Sequence, residues 1–169
     1  QLKLMNRGYS REWYINRILT IKKIIPDCGI SSDFITGFCN ETTEDHNQTL
    51  SLMEKVKFNF SYMYYYSERP NTFAQRKLTD NVPLTVKKQR LQEIVDLQRK
   101  HSLLNNKSYV GKTYKVLIEG DSKKSNNDFF GRNDQNSVVV FNKKSAKLGD
   151  FVNVSIKSCT SATLIGEII

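Results

Sequence analysis

Apolar positions in the first hundred residues recur at two different spacings. Tyr14, Ile18, Ile21 and Ile25 return every three or four residues, which predicts a helix that Ser10 caps and Pro26 ends. In "ISSDFITGF", Ile30, Phe34, Ile35 and Phe38 mix with small polar residues, the texture of a strand buried on two faces. Thr42 or Thr43 then starts a second helix, with Glu44 and Asp45 at the positive end of its dipole and Leu50, Met53 and Val56 facing inward. "FNFSYMYYY" follows as a strand of alternating large side chains. Helix, strand, helix, strand with short turns is the rhythm of an α/β layer with parallel strands. Two such strands leave unpaired edges and bury little, so the region is expected to be the closing portion of a larger barrel or open sheet.

Pro83 is expected to open a long helix from about Val82 to Leu104, because a first turn has no partner for the amide that proline lacks. Leu91, Ile94, Leu97 and Leu104 would form its apolar side. From Tyr109 the pattern changes to short alternating runs, "YKVLIE", "NSVVVF", "FVNVSI" and "ATLIGEII", separated by polar turns. They predict a small β-barrel of about five strands in the OB-like style, a shape that often binds nucleic acid. The expected fold class is therefore α/β plus all-β, divided as residues 1–78, a connecting helix over 79–107, and a barrel over 108–169.

Composition narrows the chemistry. Hydrophobic residues at 38% and charged residues at 25% fit a globular protein, and no apolar run nears the roughly 20 residues needed to cross a bilayer. "QLKLMNRGYS" has no apolar core followed by small residues, so it does not read as a secretion signal, and a cytoplasmic location is expected. Cys28, Cys39 and Cys159 are scattered, with no CxxC and no zinc spacing, so free thiols are expected and no metal ligands. The formal charge of +9 suggests a polyanionic partner. It is evenly spread: residues 1–78 hold eleven basic against eight acidic side chains, 79–107 six against three, and 108–169 nine against six. A basic tail is thereby excluded. His46 and His101 fall on predicted helices with no companion base or nucleophile, and no catalytic triad is expected.

Several stretches occur in an order that points to a family: "RGYSREWY", "SSDFITGFCNETTEDHNQTL", "YMYYYSERPNTFA", "NVPLTVKKQRLQEIVDLQ" and "GRNDQNSVVVF". Together they resemble the carboxy-terminal half of the radical-SAM methylthiotransferases, most closely the MiaB-type branch that modifies isopentenylated adenosine beside the tRNA anticodon. The resemblance implies that Ile30 to Phe38 and Phe60 to Tyr66 are the last strands of a radical-SAM partial (β/α) barrel, with Phe34 and Tyr64 on adjacent parallel strands. It also implies a TRAM domain from about Tyr109. Ligands in such sheets collect at the carboxyl ends of the strands. "SERPN" would then form part of the rim of a pocket for S-adenosylmethionine (SAM), while the tyrosines before it alternate between core and barrel interior.

By the same resemblance Asp33, Gly37, Phe38, Tyr66 and Arg69 are candidate SAM-binding residues, and Lys123, Lys124, Arg132 and Asn136 candidate RNA-binding residues. Asp33, read as buried, would orient a ligand group or accept hydrogen bonds from neighbouring loops. Gly37 would admit a ligand to the backbone or allow close helix packing. Arg69 would pair with an anion or bridge to an acidic neighbour. Glu41 and Thr42 suit a helix start better than catalysis. Lys123, Lys124, Arg132, Lys143, Lys144 and Lys147 interleave with Phe129, Phe130 and Phe141, which reads either as phosphate contacts beside stacking faces or as a solvated surface over a phenylalanine core. The family usually has proline and glycine where Cys39 and Asn40 stand, and glycine at Asn71; asparagine tolerates positive φ, so the turns are expected to survive.

The implied cofactors are SAM and two 4Fe-4S clusters. No CxxxCxxC is present, so the cluster ligands are expected in amino-terminal domains of the same enzyme, and no catalytic residue is assigned within these 169 residues. The expected partners are tRNA and those domains; no membrane is expected, and the protein is expected to be a monomer. Two alternatives stand beside this reading: a non-catalytic RNA-binding module, and a methylthiotransferase acting on a ribosomal protein.

Overall fold

The chain folds in the order α1 (Arg11–Ile24), β1 (Ser31–Thr36), α2 (Thr43–Val56), β2 (Phe60–Tyr65), α3 (Phe73–Lys77), α4 (Leu84–Lys107), β3 (Thr113–Asp121), β4 (Asp128–Asn133), β5 (Val138–Asn142), β6 (Phe151–Cys159) and β7 (Leu164–Ile168). The computed structural model describes residues 1–169. Two compact units emerge, Gln1–Gln98 and Arg99–Ile169.

In the first unit β1 and β2 form a two-stranded parallel sheet in which Phe34 faces Met63 and Ile35 faces Tyr64. The parallel pairing agrees with the helix–strand alternation of the sequence. Ser10 caps α1 as expected, its hydroxyl accepting from the Trp13 amide at 3.2 Å. The core gathers Ile18 of α1, Phe34 of β1, Met53 and Val56 of α2, Phe58, and Ile94 of α4. Phe34 and Phe58 meet edge to face with centroids 5.4 Å apart, a geometry that adds to their burial.

One expectation is corrected here. β1 is buried on one face only: Phe34 and Thr36 are buried, while Ser31, Asp33 and Ile35 are exposed. The register sets Tyr62 beside Asp33 and Tyr64 beside Ile35, and both tyrosines share that exposed face. Tyr65 takes the other parity, opposite the buried Thr36, so the tyrosines alternate between the two faces, and the face that carries Tyr62 and Tyr64 is exposed in this chain. The cause is that α1, α2 and α4 all send their apolar side chains to the Phe34 side.

α2 begins with a capping box. Asp45 Oδ2 accepts from the Thr42 amide at 2.9 Å, and Thr42 Oγ1 accepts from the Asp45 amide at 3.1 Å. The bond from the Thr42 amide is the main reason the Asp45 carboxyl is held below its ordinary range. A depressed carboxyl contributes stability that is present above its unfolded pKa, about 3.9, and is lost as pH falls through the lower folded value. Asp45→Ala should therefore cost about 1 kcal/mol near neutral pH and little at about pH 2, a difference that urea titrations at the two pH values would read.

α4 starts at Leu84 rather than Val82 and runs on to Lys107. Pro83 lies just before it, and its carbonyl accepts from the Lys87 amide at 3.0 Å. Leu91, Ile94 and Leu97 join the core as the spacing predicts, whereas Leu104 is half exposed. The same helix buries Lys87, Arg90 and Gln98. Gln98 shows why: its amide donates to the Phe58 carbonyl at 2.9 Å and its oxygen accepts from Ser61 Oγ at 3.0 Å, satisfying polar groups where β2 starts.

In the second unit five strands close in the order β3-β4-β5-β7-β6. All neighbours are antiparallel except β5 and β7, which run parallel. β4, drawn from "DFFGRN", supplies the strand that the four alternating runs leave out. Inward positions at every second residue, among them Val116, Ile118, Val139, Phe141, Val154 and Ile156, fill the interior. Gly131 is required by packing, because a Cβ there would lie 2.0 Å from the Leu117 carbonyl oxygen. No helix of the chain is long and apolar enough to cross a membrane.

Candidate functional site

Two loops at the carboxyl ends of β1 and β2 build a cleft of about 570 Å³, lined by Phe38, Tyr66 and Arg69 together with Lys3, Arg7 and Phe73. Tyr66 is set at the strand end by its amide, which donates to the Thr36 carbonyl at 2.8 Å. Its ring meets Phe38 edge to face at 4.9 Å. Asn40 and Asn71 both take positive φ, +61° and +64°, so the asparagines keep the turns that glycine usually makes. The first turn is tied down by Asn81, whose side chain accepts from the Asn40 amide at 2.9 Å and donates to Asn40 Oδ1 at 2.8 Å. The second is braced by Thr72, whose hydroxyl donates to the Arg69 carbonyl at 2.9 Å and caps α3 by accepting from the Gln75 amide at 3.2 Å.

Electrostatically the cleft favours anions. Lys3, Arg7 and Arg69 border it and no carboxylate lines it. The Tyr66 hydroxyl is buried without a hydrogen-bond partner. Burial first, then the neighbouring Cys39 and the carboxylates of Glu68 and Asp80, push the Tyr66 phenol up to about 12, so it is a hydrogen-bond donor across the physiological range. A flat ring laid against this aromatic pair, with a carboxylate near Arg69, suits these walls.

The five SAM candidates are only partly brought together. Phe38, Tyr66 and Arg69 share the cleft, and Phe38 also borders an adjoining groove of about 1000 Å³ that Asp33 lines. Asp33 is exposed there, so burial does not force a partner on it as the sequence suggested. Gly37, at φ +68°, lines neither space; a Cβ on it would sit 2.3 Å from Lys87 Cγ. Helix packing and the positive φ both favour glycine at this position.

Two buried cations of α4 stand behind the cleft. Lys87 Nζ lies 2.6 Å from both Asp80 carboxylate oxygens, donates to the Tyr66 carbonyl at 3.3 Å, and sits 5.0 Å from the centre of the Tyr66 ring. Arg90 donates to the Glu41 carbonyl at 3.0 Å and to Glu41 Oε1 at 2.9 Å, and that same oxygen accepts from the Gly37 amide at 2.8 Å. Thr42 is the helix cap, so Glu41 is a loop brace rather than a helix-start residue. His46 is buried and 2.7 Å from Glu93, whose carboxyl it holds below the ordinary range. Sequence reasoning missed Lys87 and Arg90. Their one signal was the i, i+3 spacing that sets them on the same side of α4 as Ile94.

Within the barrel unit the four RNA candidates fall into two pairs. Lys123 and Lys124 occupy the β3–β4 turn, which meets the β5–β6 loop where the Lys143 amide donates to the Asn127 carbonyl at 3.0 Å. Lys143, Lys144 and Lys147 thus share that end of the barrel. Arg132 and Asn136 lie at the other end of β4, roughly 13 Å away at the strand rise. Arg132 is held by Glu119 at 3.2 Å and by the Asn136 side-chain oxygen at 3.3 Å. Phe129 and Phe141 are core residues rather than open stacking faces, although Lys143 Nζ lies 4.8 Å from the centre of the Phe129 ring. The reason is the inward parity of β4 and β5, whose register pairs the two phenylalanines. Phe151 is the exposed ring of this unit, with Lys115 Nζ 4.8 Å from its centre.

For metal the residues do not fit. No group of three or more His, Cys, Asp or Glu side chains comes together, and Cys28, Cys39 and Cys159 are separate free thiols.

Residues 107–169 match the family model of the TRAM domain. Over nearly its whole length the chain is also similar to proteins named tRNA-2-methylthio-N(6)-dimethylallyladenosine synthase. It is 59% identical to the one from Amoebophilus asiaticus over 168 residues, 99% of this chain and 35% of that protein. It is 61% identical to the one from Christiangramia forsetii over 98% of this chain and 34% of the relative. For Bacteroides thetaiotaomicron the figures are 53%, 98% and 36%. The chain spans about a third of the length of these curated relatives.

Proposed function

From its similarity to these synthases we propose that the chain belongs to the radical-SAM methylthiotransferase family and works within a longer polypeptide to add a methylthio group to isopentenylated adenosine in tRNA. The observation that carries this reading is the identity of more than half the residues, over nearly the whole chain, with relatives named for that product. In this reading residues 1–78 are the closing part of a partial (β/α) barrel, 79–107 a connecting helix, and 108–169 the RNA-holding TRAM barrel. A cytoplasmic location follows from the substrate.

The chemistry supplied by bound SAM and the clusters is methyl donation and hydrogen abstraction from the adenine ring. This chain's residues bind and orient. Phe38 and Tyr66 form one wall against a planar group, and Arg69 holds a carboxylate in the cleft they line. Asp33 reaches the ligand from the adjoining groove, and Gly37 keeps the strand end close to it. The cluster ligands belong to other domains of the same polypeptide. Lys123 and Lys124 contact tRNA phosphates from one end of the TRAM barrel, and Arg132 and Asn136 contact it from the other.

Replacing Lys123 and Lys124 together by glutamine in the full-length protein tests the tRNA reading. Each lost phosphate contact should lower the slope of log affinity against log salt by about one, with weaker tRNA binding at every salt concentration. Unchanged tRNA affinity and slope, with methylthio transfer to a ribosomal protein, would overturn it.

A further inference from the structure

We propose that Lys87 and Arg90 are positioning residues for the cleft, holding the ends of β1 and β2 at the spacing that SAM requires. The proposal rests on the reading of that cleft as the SAM site. Neither cation lines it, so neither binds the ligand directly. Both are buried and stand three residues apart near the start of α4, so they leave the helix on one face.

Their contacts converge on the two strand ends. Lys87 fixes β2 through the Tyr66 carbonyl at 3.3 Å, and its stem occupies the space where a side chain on Gly37 would be. Arg90 fixes β1 through Glu41, whose Oε1 holds the Gly37 amide at 2.8 Å. Phe38 follows Gly37 directly, so the two rings that meet at 4.9 Å are anchored to one helix from two sides. Buried ion pairs are a poor source of stability compared with apolar packing of the same volume. What such pairs add is direction, because a bidentate or forked contact permits few geometries. A contacting pair of rings that must present one fixed wall to a flat ligand benefits from that restriction.

The test uses the full-length, cluster-loaded enzyme and calorimetric binding of SAM and of S-adenosylhomocysteine. Lys87→Met keeps the stem beneath Gly37 and removes only the ammonium. It should weaken both ligands by about tenfold and raise KM for SAM, while kcat at saturating SAM stays within about twofold and tRNA affinity is unchanged. Lys87→Arg should recover part of the loss. Asp80→Asn, at a partly exposed residue, should shift SAM affinity in the same direction and serves if the lysine variant does not fold. Arg69→Gln reports on the cleft itself. SAM affinity that falls in Arg69→Gln but is unchanged in Lys87→Met and Asp80→Asn would overturn the positioning role alone. Affinity unchanged in all of them would overturn the SAM reading and the positioning role with it.

Discussion

Phe141→Ala should destabilise the barrel unit by about 3–5 kcal/mol, the largest effect expected of any single truncation there. Phe141 is almost wholly buried, at 2% exposure, and stands in register with Phe129 across β4 and β5. The interior is ringed by backbone that hydrogen-bonds all the way round, so the walls have little freedom to collapse into the space left behind. Urea unfolding followed by amide exchange at Val116, Val139 and Val154 would read the loss. A cost below about 1 kcal/mol would mean that the barrel interior is looser than the described packing.

Arg90→Met should cost the first unit a similar amount, about 3–5 kcal/mol, for a different reason. The guanidinium and the Glu41 carboxylate are both buried, with side chains 9% and 6% exposed, and removing the cation leaves the anion in a poorly solvated place. Adding Glu41→Gln should recover more than half of the loss. The neutral amide still accepts from Gly37 through its oxygen but carries no charge to strand. A double-mutant cycle by chemical denaturation gives the coupling directly. Additive losses in the two variants would show that the pair is not energetically linked.

The contrast between these two sites explains what the sequence made legible. Period-two runs such as "NSVVVF" announce the barrel, and the parity of Val139 and Phe141 is readable before any coordinates. Ser10, Thr42 and the positive φ of Asn40 and Asn71 were equally accessible, because capping and turn chemistry depend on a few neighbouring residues. Lys87 and Arg90 were not. Charged residues on a helix ordinarily signal a solvated face, and only the partners Asp80, Glu41 and the Tyr66 carbonyl reverse that expectation. The exposed face of β1 is hidden from the sequence for a related reason. "SSDFIT" carries apolar residues at both parities, and strand texture alone does not say which neighbours cover them. The aromatic content around Phe129 and Phe141 was visible, but its side of the sheet depended on the register of a strand whose start was hidden in a polar turn.

The single parallel seam of the barrel has a consequence for synthesis of the chain. β7 lies between β5 and β6, so the ring is open until Leu164–Ile168 have been translated. A ribosome that stops short of Leu164 releases a protein with two bare strand margins, and such margins recruit strands from other molecules. Termination before β7 would therefore yield a sticky product rather than a merely shortened one, and closure of the ring depends on the codons for Leu164–Ile168.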